Sequence, residues 1–392
     1  MKLATIGVGN AGSKVVDRMV EFESETNRNL CRHVHAINTA RTDLAKPEYI
    51  PEEQRVLVGD TNQKSKGHGV GGDVEIGAEV MSSDIDEIRR AFDDIEIHNV
   101  DAILVAAGLG GGTGSGGGPV VIDALQEMYD EPVYALGVLP GEYEGGRPAL
   151  NAARSLQSFV NKVDNFIGFD NDAWRAREQT IEEGYEEMNR ELAARIVTLL
   201  AAGETDDSEV AENAMDSSDI IRTLDTDGVS SIGYAATAVD AQPEGLLDRW
   251  GGSTEEDPLD DASQATKIKS LVRRATNSRL TLPCGVSSAE RVLVVLSGPP
   301  GEFSRKGIES ARQWLEQEAE TVEVLVGDDP RENSSRLAAA VLLSNVSDAP
   351  RIETIQNQAV DAQEQIAEQQ AAREEKINDL ITDENDDLDP VV

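Results

Sequence analysis

The sequence predicts an α/β protein with an N-terminal parallel-sheet domain, a long central helix and a C-terminal α/β domain with a mixed sheet. Short apolar strand patterns alternate with amphipathic helix patterns through the first unit, which favours a mostly parallel sheet. Glycine-rich turns follow the early strands. An uninterrupted helical pattern then runs from Tyr185 to about Ala202, and a second set of strands and helices follows it.

The first unit begins with a strand and alternates from there. Its predicted strands are 2–9, 33–40, 100–108, 132–140 and 165–169. Val15, Val16 and Met19 recur at helical spacing and predict a helix after the first strand. A second helix is expected from Pro119 onward, with the proline near its first turn, where a missing N–H is tolerated.

The second unit mixes longer strands with helices. Its predicted strands are 229–239, 290–298, 321–329 and 336–346, and its predicted helices are 267–278 and 304–319. Gly203 is expected to end the central helix as a left-handed cap. An acidic, glycine- and proline-containing loop is expected at 242–263, a polar helix at 352–381 and disorder beyond it. The predicted boundaries are 1–184, 185–203, 204–350 and an acidic, partly disordered tail at 351–392.

The charge of the chain restricts its partners. Its 392 residues include 35 basic and 74 acidic side chains, for a formal net charge of −39. Such a surface repels phosphate backbones and anionic lipids, so neither nucleic acid binding nor direct membrane insertion is expected. The charge favours a protein adapted to high salt, with an ordinary acidic protein as the alternative. Two cysteines imply no disulfide framework and, with no apolar span of membrane length, favour the cytoplasm.

Three glycine-rich loops point to phosphate binding. They occupy residues 7–14, 67–77 and 110–116. Bare backbone between a strand and a helix lets peptide N–H groups approach a phosphate, and the helix N-terminus adds a positive partial charge. The alternative for the first loop is a tight turn, for the second a flexible surface loop, and for the third a linker. A linker is the poorest of these, because the third loop joins a buried strand to a helix.

The first loop by itself permits a different cofactor. Gly7, Gly9 and Gly12 fit the dinucleotide pattern G-x-G-x-x-G, which suggests an NAD-dependent oxidoreductase. That reading needs an acidic residue after the second strand to hold a ribose, and the chain has Asn38 there. A Walker A loop is excluded because Ser13 separates the last glycine from Lys14.

The third loop carries a family resemblance. GGGTGSG, residues 110–116, resembles the signature [SAG]-G-G-T-G-[SAT]-G shared by the tubulins and FtsZ. The segments GVGNAGSK, AINTA, GVGGD, YEGGR and DND resemble this family's other nucleotide loops in order and spacing. The resemblance covers about residues 1–350, and MDSSDIIRTLD makes it greatest for the CetZ group of halophilic archaea. It implies a Rossmann-like GTPase domain and a C-terminal activation domain.

The resemblance also implies which residues bind GTP or GDP. Residues of the segments GVGNAGSK, AINTA and GVGGD and of the signature loop are expected around the phosphates. They are Gly9, Asn10, Ala11, Asn38, Gly71, Gly72, Gly110, Gly111, Gly112, Thr113, Gly114 and Ser115. Glu144 and Arg147 are expected at the ribose, with Glu142 as a rival for Glu144.

The expected base-binding residues lie close to the start of the central helix. The resemblance assigns hydrogen bonds to Asn171 and Asn189 and stacking to Tyr185. Tyr185 and Asn189 are four residues apart, so they share a helix face. A surface tyrosine and asparagine are the alternative. The loops offer no convincing phosphate-facing lysine, so Mg²⁺ is expected to neutralise phosphate charge, while the histidines show no spacing typical of a metal site.

Two acids beyond the central helix are the predicted catalytic residues. Asp216 and Asp219 resemble the family's N-x-D-x-x-[DE] loop, although Asn213 lies one position too far from the first acid. A helix N-cap at Asp216 or Ser217 is the alternative, and both roles are compatible. The central helix spans roughly 27 Å, so these acids are not expected to reach the nucleotide of their own chain.

A catalytic acid supplied by a neighbour implies a head-to-tail polymer, because such a contact repeats without closing. The prediction is therefore a GTP-hydrolysing, tubulin-like cytoskeletal protein that forms filaments with itself. The resemblance to the CetZ group further implies a role in cell shape. Other tubulin-like proteins or a receptor for the tail are possible additional partners. The remaining alternatives are the NAD-dependent oxidoreductase and a nucleotide-binding regulator that does not polymerise.

Overall fold

The computed structural model describes residues 1–175, 181–202, 215–239, 258–332 and 334–381, and in these ranges the chain forms an α/β fold. Its strands are β1 (Leu3–Val8), β2 (Cys31–Asn38), β3 (Arg55–Leu57), β4 (Ala102–Gly108), β5 (Val133–Leu139), β6 (Asn165–Asp170), β7 (Gly228–Ala238), β8 (Ala289–Gly298), β9 (Val324–Pro330) and β10 (Arg336–Val346). They form one 10-stranded sheet in the order β3-β2-β1-β4-β5-β6-β7-β10-β8-β9.

Helices cover this sheet. The α-helices of the described ranges are α1 (Gly9–Glu25), α2 (Arg41–Leu44), α3 (Val74–Ser83), α4 (Ile85–Phe92), α5 (Thr113–Met128), α6 (Gly146–Val160), α7 (Asn171–Trp174), α8 (Ile181–Leu200), α9 (Ser217–Leu224), α10 (Pro258–Asn277), α11 (Arg305–Glu318) and α12 (Pro350–Ile381). None of the helices in these ranges combines the length and apolar character needed to cross a bilayer.

The N-terminal half of the sheet is parallel, so its strands end at a common edge. Val8 pairs with Ile37 on one side and with Ala107 on the other. We call the side where β1, β4, β5 and β6 end the carboxyl edge, and the side where they begin the amino edge. Loops at the carboxyl edge of a parallel sheet are the usual place for ligands.

Strand β7 joins the two halves of the sheet. It pairs parallel to β6 and antiparallel to β10. Beyond it, β10 and β8 are antiparallel while β8 and β9 are parallel. The predicted fold class is therefore confirmed, with a mixed C-terminal sheet that continues the N-terminal one.

Helix α8 lies between the two halves of the molecule. Its Leu192, Ile196 and Leu199 are fully buried in the core cluster that also contains α1 and strand residues of both halves. The amino group of Met1 donates to the carbonyl oxygens of Leu200 and Ala202 at 2.8 and 3.2 Å. The end of α8 therefore lies at the amino edge of the sheet.

The structure corrects two sequence predictions. Helix α5 begins at Thr113 instead of near Pro119, so the proline lies inside the helix. The glycine run is helical because it packs closely on its neighbours, and a tertiary contact overrides the poor helix propensity of glycine. Helix α10 begins at Pro258, so residues 258–263 are not loop, since proline suits a first helical turn.

The remaining predictions of secondary structure have different outcomes. The polar helix expected at 352–381 is present as α12. The cap at Gly203, the rest of the loop at 242–263 and the end of the tail lie outside the described residues. Strand β3 and helices α2, α3, α4, α6 and α7 are additional to the predicted elements; β3, α2 and α7 have only three or four residues, too few to show a periodicity.

Candidate functional site

A cavity of about 380 Å³ opens at the carboxyl edge, where β1, β2 and β4 end. Glycines from all three predicted loops form much of its lining, together with Asn10, Ala11, Asn38 and Thr113. The first residues of α1 and α5 both belong to the lining, so two helix N-termini open on the cavity. Their unsatisfied N–H groups and dipoles make it a site for an anion.

Two glycines show why bare backbone is needed here. A Cβ on Gly12 would lie 2.1 Å from the carbonyl oxygen of Ala106, so α1 can approach β4 only without a side chain. Gly72 has φ of +74°, in the left-handed region that other residues rarely adopt. The loops therefore keep their shape because of glycine, as well as exposing N–H groups.

Asn38 brings an unpartnered donor to the cavity. Its side chain is buried, and its Oδ1 accepts from the backbone N–H of Ala40 at 3.1 Å. Its Nδ2 has no hydrogen-bond partner among the described residues. A buried donor without a partner is costly, so this amide is suited to a ligand acceptor.

Two further polar contacts hold the glycine loops, and sequence reasoning missed both. Asn151 Nδ2 on α6 donates to the carbonyl oxygens of Gly72 and Gly110, each at 3.0 Å. The hydroxyls of Thr39 and Thr113 lie 2.7 Å apart. Thr39 stands beside Asn38 in a recognised loop, whereas nothing local distinguishes Asn151.

Gly110 and Ser115 stand behind the cavity. The Gly110 carbonyl is held by Asn151, and Ser115 Oγ donates to the Leu109 carbonyl at 2.5 Å. Neither residue is among those that line the cavity. Both shape the loop whose other members, Gly111 to Gly114, line it.

The predicted ribose and base residues meet on one carboxylate. Glu144 Oε1 accepts from Gly141 N at 2.8 Å, Tyr185 OH at 3.1 Å and Asn171 Nδ2 at 3.3 Å. Tyr143 OH donates to Tyr185 OH at 2.9 Å, while burial, together with the bond that Tyr185 donates to Glu144, raises the pKa of Tyr185. Glu144, Asn171 and Tyr185 therefore form a second polar group at the carboxyl edge, outside the glycine-lined cavity.

Three other predicted residues lie around this group. Asn189 is half-buried one helical turn after Tyr185 on α8. Arg147 is exposed, and its Nη2 lies 3.9 Å from Asp73, the N-cap of α3. Glu142, the rival for Glu144, turns instead to Arg351, whose Nη1 is 3.3 Å away.

Asp216 and Asp219 cap α9. Asp216 Oδ1 accepts from Ser218 Oγ at 2.5 Å and Asp219 N at 3.1 Å, and these hydrogen bonds lower the pKa of Asp216. Asp219 Oδ2 lies 3.5 Å from Asp216 N, which completes a capping box. The N-cap alternative is therefore confirmed, and Asp216 is exposed while Asp219 is half-buried.

The helix that carries the acids ends at the edge of the sheet opposite the cavity. The Leu224 carbonyl at the end of α9 accepts from Asn165 Nδ2 at 2.9 Å. Asn165 is the first residue of β6 and lies at the amino edge. The structure thus brings the glycine loops together at one edge and places the helix carrying both acids beside the other.

One carboxylate in the cavity suits a phosphate-bound cation. Asp43 of α2 lines the cavity, and Lys46 Nζ lies 2.7 Å from its Oδ1. Mg²⁺ is commonly held by one or two carboxylates together with substrate phosphates and water, so a single acid fits that ion. Across the described ranges, no three metal-binding side chains come together as a preformed site.

Models of two protein families match the chain. The Tubulin/FtsZ family GTPase domain matches residues 2–178, and the tubulin-like CetZ C-terminal domain matches residues 178–361. Among curated proteins, tubulin-like protein CetZ1 of Haloferax volcanii is 50% identical over 373 residues, which is 94% of each chain.

Solved structures with the same fold include nucleotide complexes. A GDP-bound monomer of CetZ1 from Haloferax volcanii has a TM-score of 0.81 and 46% identity, and the match covers 93% of this chain and 100% of that one. A GTPgS-bound protofilament of CetZ2 from the same organism also has a TM-score of 0.81, with 37% identity and coverage of 94% and 100%.

Proposed function

Because the chain belongs to the tubulin/FtsZ family, in its CetZ group, and carries that family's GTPase domain, we propose that it hydrolyses GTP at the junctions of a head-to-tail filament. The observation that carries this proposal is the separation of two half-sites. A glycine cradle lies at the carboxyl edge, and α9, with Asp216 exposed and Asp219 half-buried, lies beside the amino edge.

The cradle binds the phosphates in this proposal. Backbone N–H groups of residues 9–11, 71–72 and 111–114 surround them, with the Asn38 amide as an additional donor. Two helix N-termini offset the negative charge. Asp43 would hold a Mg²⁺ ion, and such an ion would supply positive charge beside the phosphates.

The neighbouring polar group recognises the nucleoside. Glu144 binds the ribose hydroxyls, assisted by Arg147, while the Asn171 and Asn189 amides meet the polar edge of guanine. The Tyr185 ring covers the face of the base. The GDP and GTPgS complexes of the similar CetZ structures support the choice of a guanine nucleotide.

Hydrolysis needs a water molecule oriented at the terminal phosphate. In a filament, α9 of one subunit would face the cradle of the next and bring Asp216 and Asp219 to that water. The protofilament formed by the similar CetZ2 supports this arrangement. Assembly would then complete the reaction centre, and hydrolysis would limit the life of the filament.

Asp219→Ala tests the role of the acid. We expect GTP affinity to stay within about twofold of wild type, because Asp219 lies away from the cradle, while turnover per assembled subunit falls at least tenfold. Filaments should persist longer after a GTP pulse, as followed by light scattering. Weaker GTP binding with normal turnover per bound GTP would contradict the proposal.

A matched control separates catalysis from capping. Ser218→Ala removes the hydroxyl that donates to Asp216 but leaves both carboxylates in place. It should weaken the cap of α9 and leave turnover near the wild-type rate. A loss as large as that of Asp219→Ala would assign the effect to the helix cap.

Concentration dependence distinguishes this function from its alternatives. Turnover per molecule should rise with protein concentration, since isolated subunits lack half of the centre. A regulator that does not polymerise would give no light scattering with GTP at any salt concentration, and co-purified NAD would favour the oxidoreductase.

A cellular role in shape predicts altered cell outlines when the gene is deleted.

A further inference from the structure

The C-terminal helix α12 begins against the loops beside the nucleotide site. Arg351, in its first turn, has a side chain only 7% exposed. Its Nε donates to Asp170 Oδ1 at 3.0 Å, and its Nη2 donates to the Pro140 carbonyl at 2.7 Å. Nη2 also lies 2.6 Å from Asp172 Oδ2, and Nη1 lies 3.3 Å from Glu142 Oε1.

These acceptors belong to two loops that end neighbouring strands. The loop after β5 also carries Glu144, and the junction of β6 and α7 carries Asn171. Asp172 Oδ2 additionally accepts from Glu142 N at 2.8 Å. Arg351 therefore bridges the two segments that place the proposed ribose and base residues next to each other.

Charge makes this bridge necessary. Three carboxylates, those of Asp170, Asp172 and Glu142, converge on the guanidinium and would repel one another without it. Asp170 is buried, and burial raises its pKa while Arg351 opposes the rise. Removing the cation would leave a buried carboxylate unpaired, which destabilises its surroundings. The planar fork of arginine holds several acceptors in fixed directions, which the compact ammonium of lysine does not.

Helix α12 contacts the same loop a second time. A Cβ on Gly146, where α6 begins, would lie 2.9 Å from Ala362 Cβ. Arg351 and Ala362 are eleven residues apart, or about 16 Å along the helix. The first three turns of α12 are thus fixed at both ends against the segment 140–146.

Further along, α12 approaches the second glycine loop, which is proposed to bind the phosphates. A cavity of about 570 Å³ is lined by Ala362 and Ile366 of α12, by Arg154 of α6, and by Gly72 and Asp73. Helix α12 therefore runs from the base-binding segments towards the phosphate loop, with its strongest polar contacts on the base side.

We propose that Arg351 is a positioning residue for base and ribose recognition, and that nucleotide binding and the docking of the start of α12 stabilise each other. This inference rests on the proposed function, in which Glu144 and Asn171 contact the nucleoside. Arg351 acts through loop geometry and does not touch the nucleotide. The coupling is reciprocal, because two equilibria linked in one direction are linked in the other.

The test uses Arg351→Gln in the full chain, kept dilute enough to stay monomeric. We expect GDP affinity to fall about tenfold, a typical coupling for a positioning residue, with inorganic pyrophosphate affinity nearly unchanged and ADP affinity reduced less than that of GDP, because ADP shares only the ribose contacts. Arg373→Gln is the control, because it makes the same charge change at an exposed position of the same helix. Its nucleotide affinities should match wild type.

Two results would overturn the inference. One is an unchanged preference for GDP over ADP. The other is an equal loss for GDP and pyrophosphate, which would show general loosening of the domain. A wild-type chain that binds no guanine nucleotide would instead overturn the proposed function, so the two failures are distinct.

A milder variant and a wild-type measurement cover the case in which Arg351→Gln does not fold. Arg351→Lys keeps the charge but loses the fork, and it should weaken GDP binding by an intermediate factor. In hydrogen exchange of the wild-type chain, GDP should slow exchange several-fold in residues 350–362 and leave 366–377 unaffected. Equal exchange with and without GDP at 350–362 would contradict the coupling.

Discussion

One buried amide joins two of the glycine loops. Asn151 donates to Gly72 and Gly110, which lie 79 and 41 residues before it in the chain. Backbone carbonyls within a buried loop need such donors, because unpaired polar groups are costly away from water. The shape of the proposed phosphate cradle thus depends on a side chain from a helix outside the glycine-rich segments.

Asn151→Ala should weaken both the fold and the site. We expect a loss of about 1–3 kcal/mol in the free energy of unfolding, because two carbonyls lose their donor. GTP affinity should fall as well, measured by equilibrium binding alongside urea unfolding. Gln157→Ala changes an exposed residue of the same helix and should alter neither quantity. Wild-type values for both quantities in Asn151→Ala would contradict this role.

Some positions of the site require glycine, whereas others can accept a side chain without loss of stability. Gly12→Ala places a Cβ 2.1 Å from the Ala106 carbonyl and should cost about 3 kcal/mol or more. At Gly111 a Cβ has no neighbour within 4 Å, so Gly111→Ala should change stability by less than about 0.5 kcal/mol. Urea unfolding of the pair measures the contrast, and equal stabilities would refute the close approach of α1 to β4.

At the scale of elements, α8 and α9 separate the two half-sites. Helix α8 has 20 residues and a length of about 30 Å. Its end is held at the amino edge by Met1, and α9 is held there through Asn165. A helix of this length, packed along the sheet, makes hydrolysis by a single chain geometrically unfavourable.

Strand β2 contributes a pH-dependent element of stability. Burial lowers the pKa of His35, whose ring packs edge-on against Phe92 with centroids 5.8 Å apart. The folded state thus favours the neutral ring, so its contribution is complete above the unfolded pKa of about 6.5. It is lost as the pH falls from there through the lower folded pKa.

We therefore expect His35→Gln to flatten the fall in unfolding free energy between about pH 7 and pH 5. Urea denaturation at half-unit pH steps measures the slope. His98→Gln removes an exposed histidine and should keep the wild-type slope. A slope unchanged in His35→Gln would show that the buried ring does not carry the effect.

At the scale of the whole molecule, charge opposes assembly. A formal net charge of −39 makes each subunit repel the next. Raising the ionic strength from about 0.1 to 1 M shortens the screening length from about 10 to 3 Å. Assembly with GTP, followed by light scattering, should therefore strengthen with added KCl, while sucrose at equal osmolality should not replace the salt. Assembly that weakens as salt rises would contradict this account.

The sequence by itself determined the fold class, most strands of the sheet, and the glycine loops at the carboxyl edge. These features follow from local signals: apolar periodicity selects a strand or a helix, and a glycine run after a strand leaves backbone bare. The assignment of residues to ribose and base binding came from the family resemblance. The structure brings three of them, Glu144, Asn171 and Tyr185, together through hydrogen bonds.

Only the tertiary structure decided which distant residues support the site. Asn151 and Arg351 carry no local pattern, because their acceptors lie 41 to 211 residues away in the chain. The helical start at Thr113, ahead of Pro119, likewise depends on packing that overrides propensity. Periodicity reports the burial of neighbours in sequence, whereas side-chain hydrogen bonds between separate loops exist only once the sheet has brought those loops together.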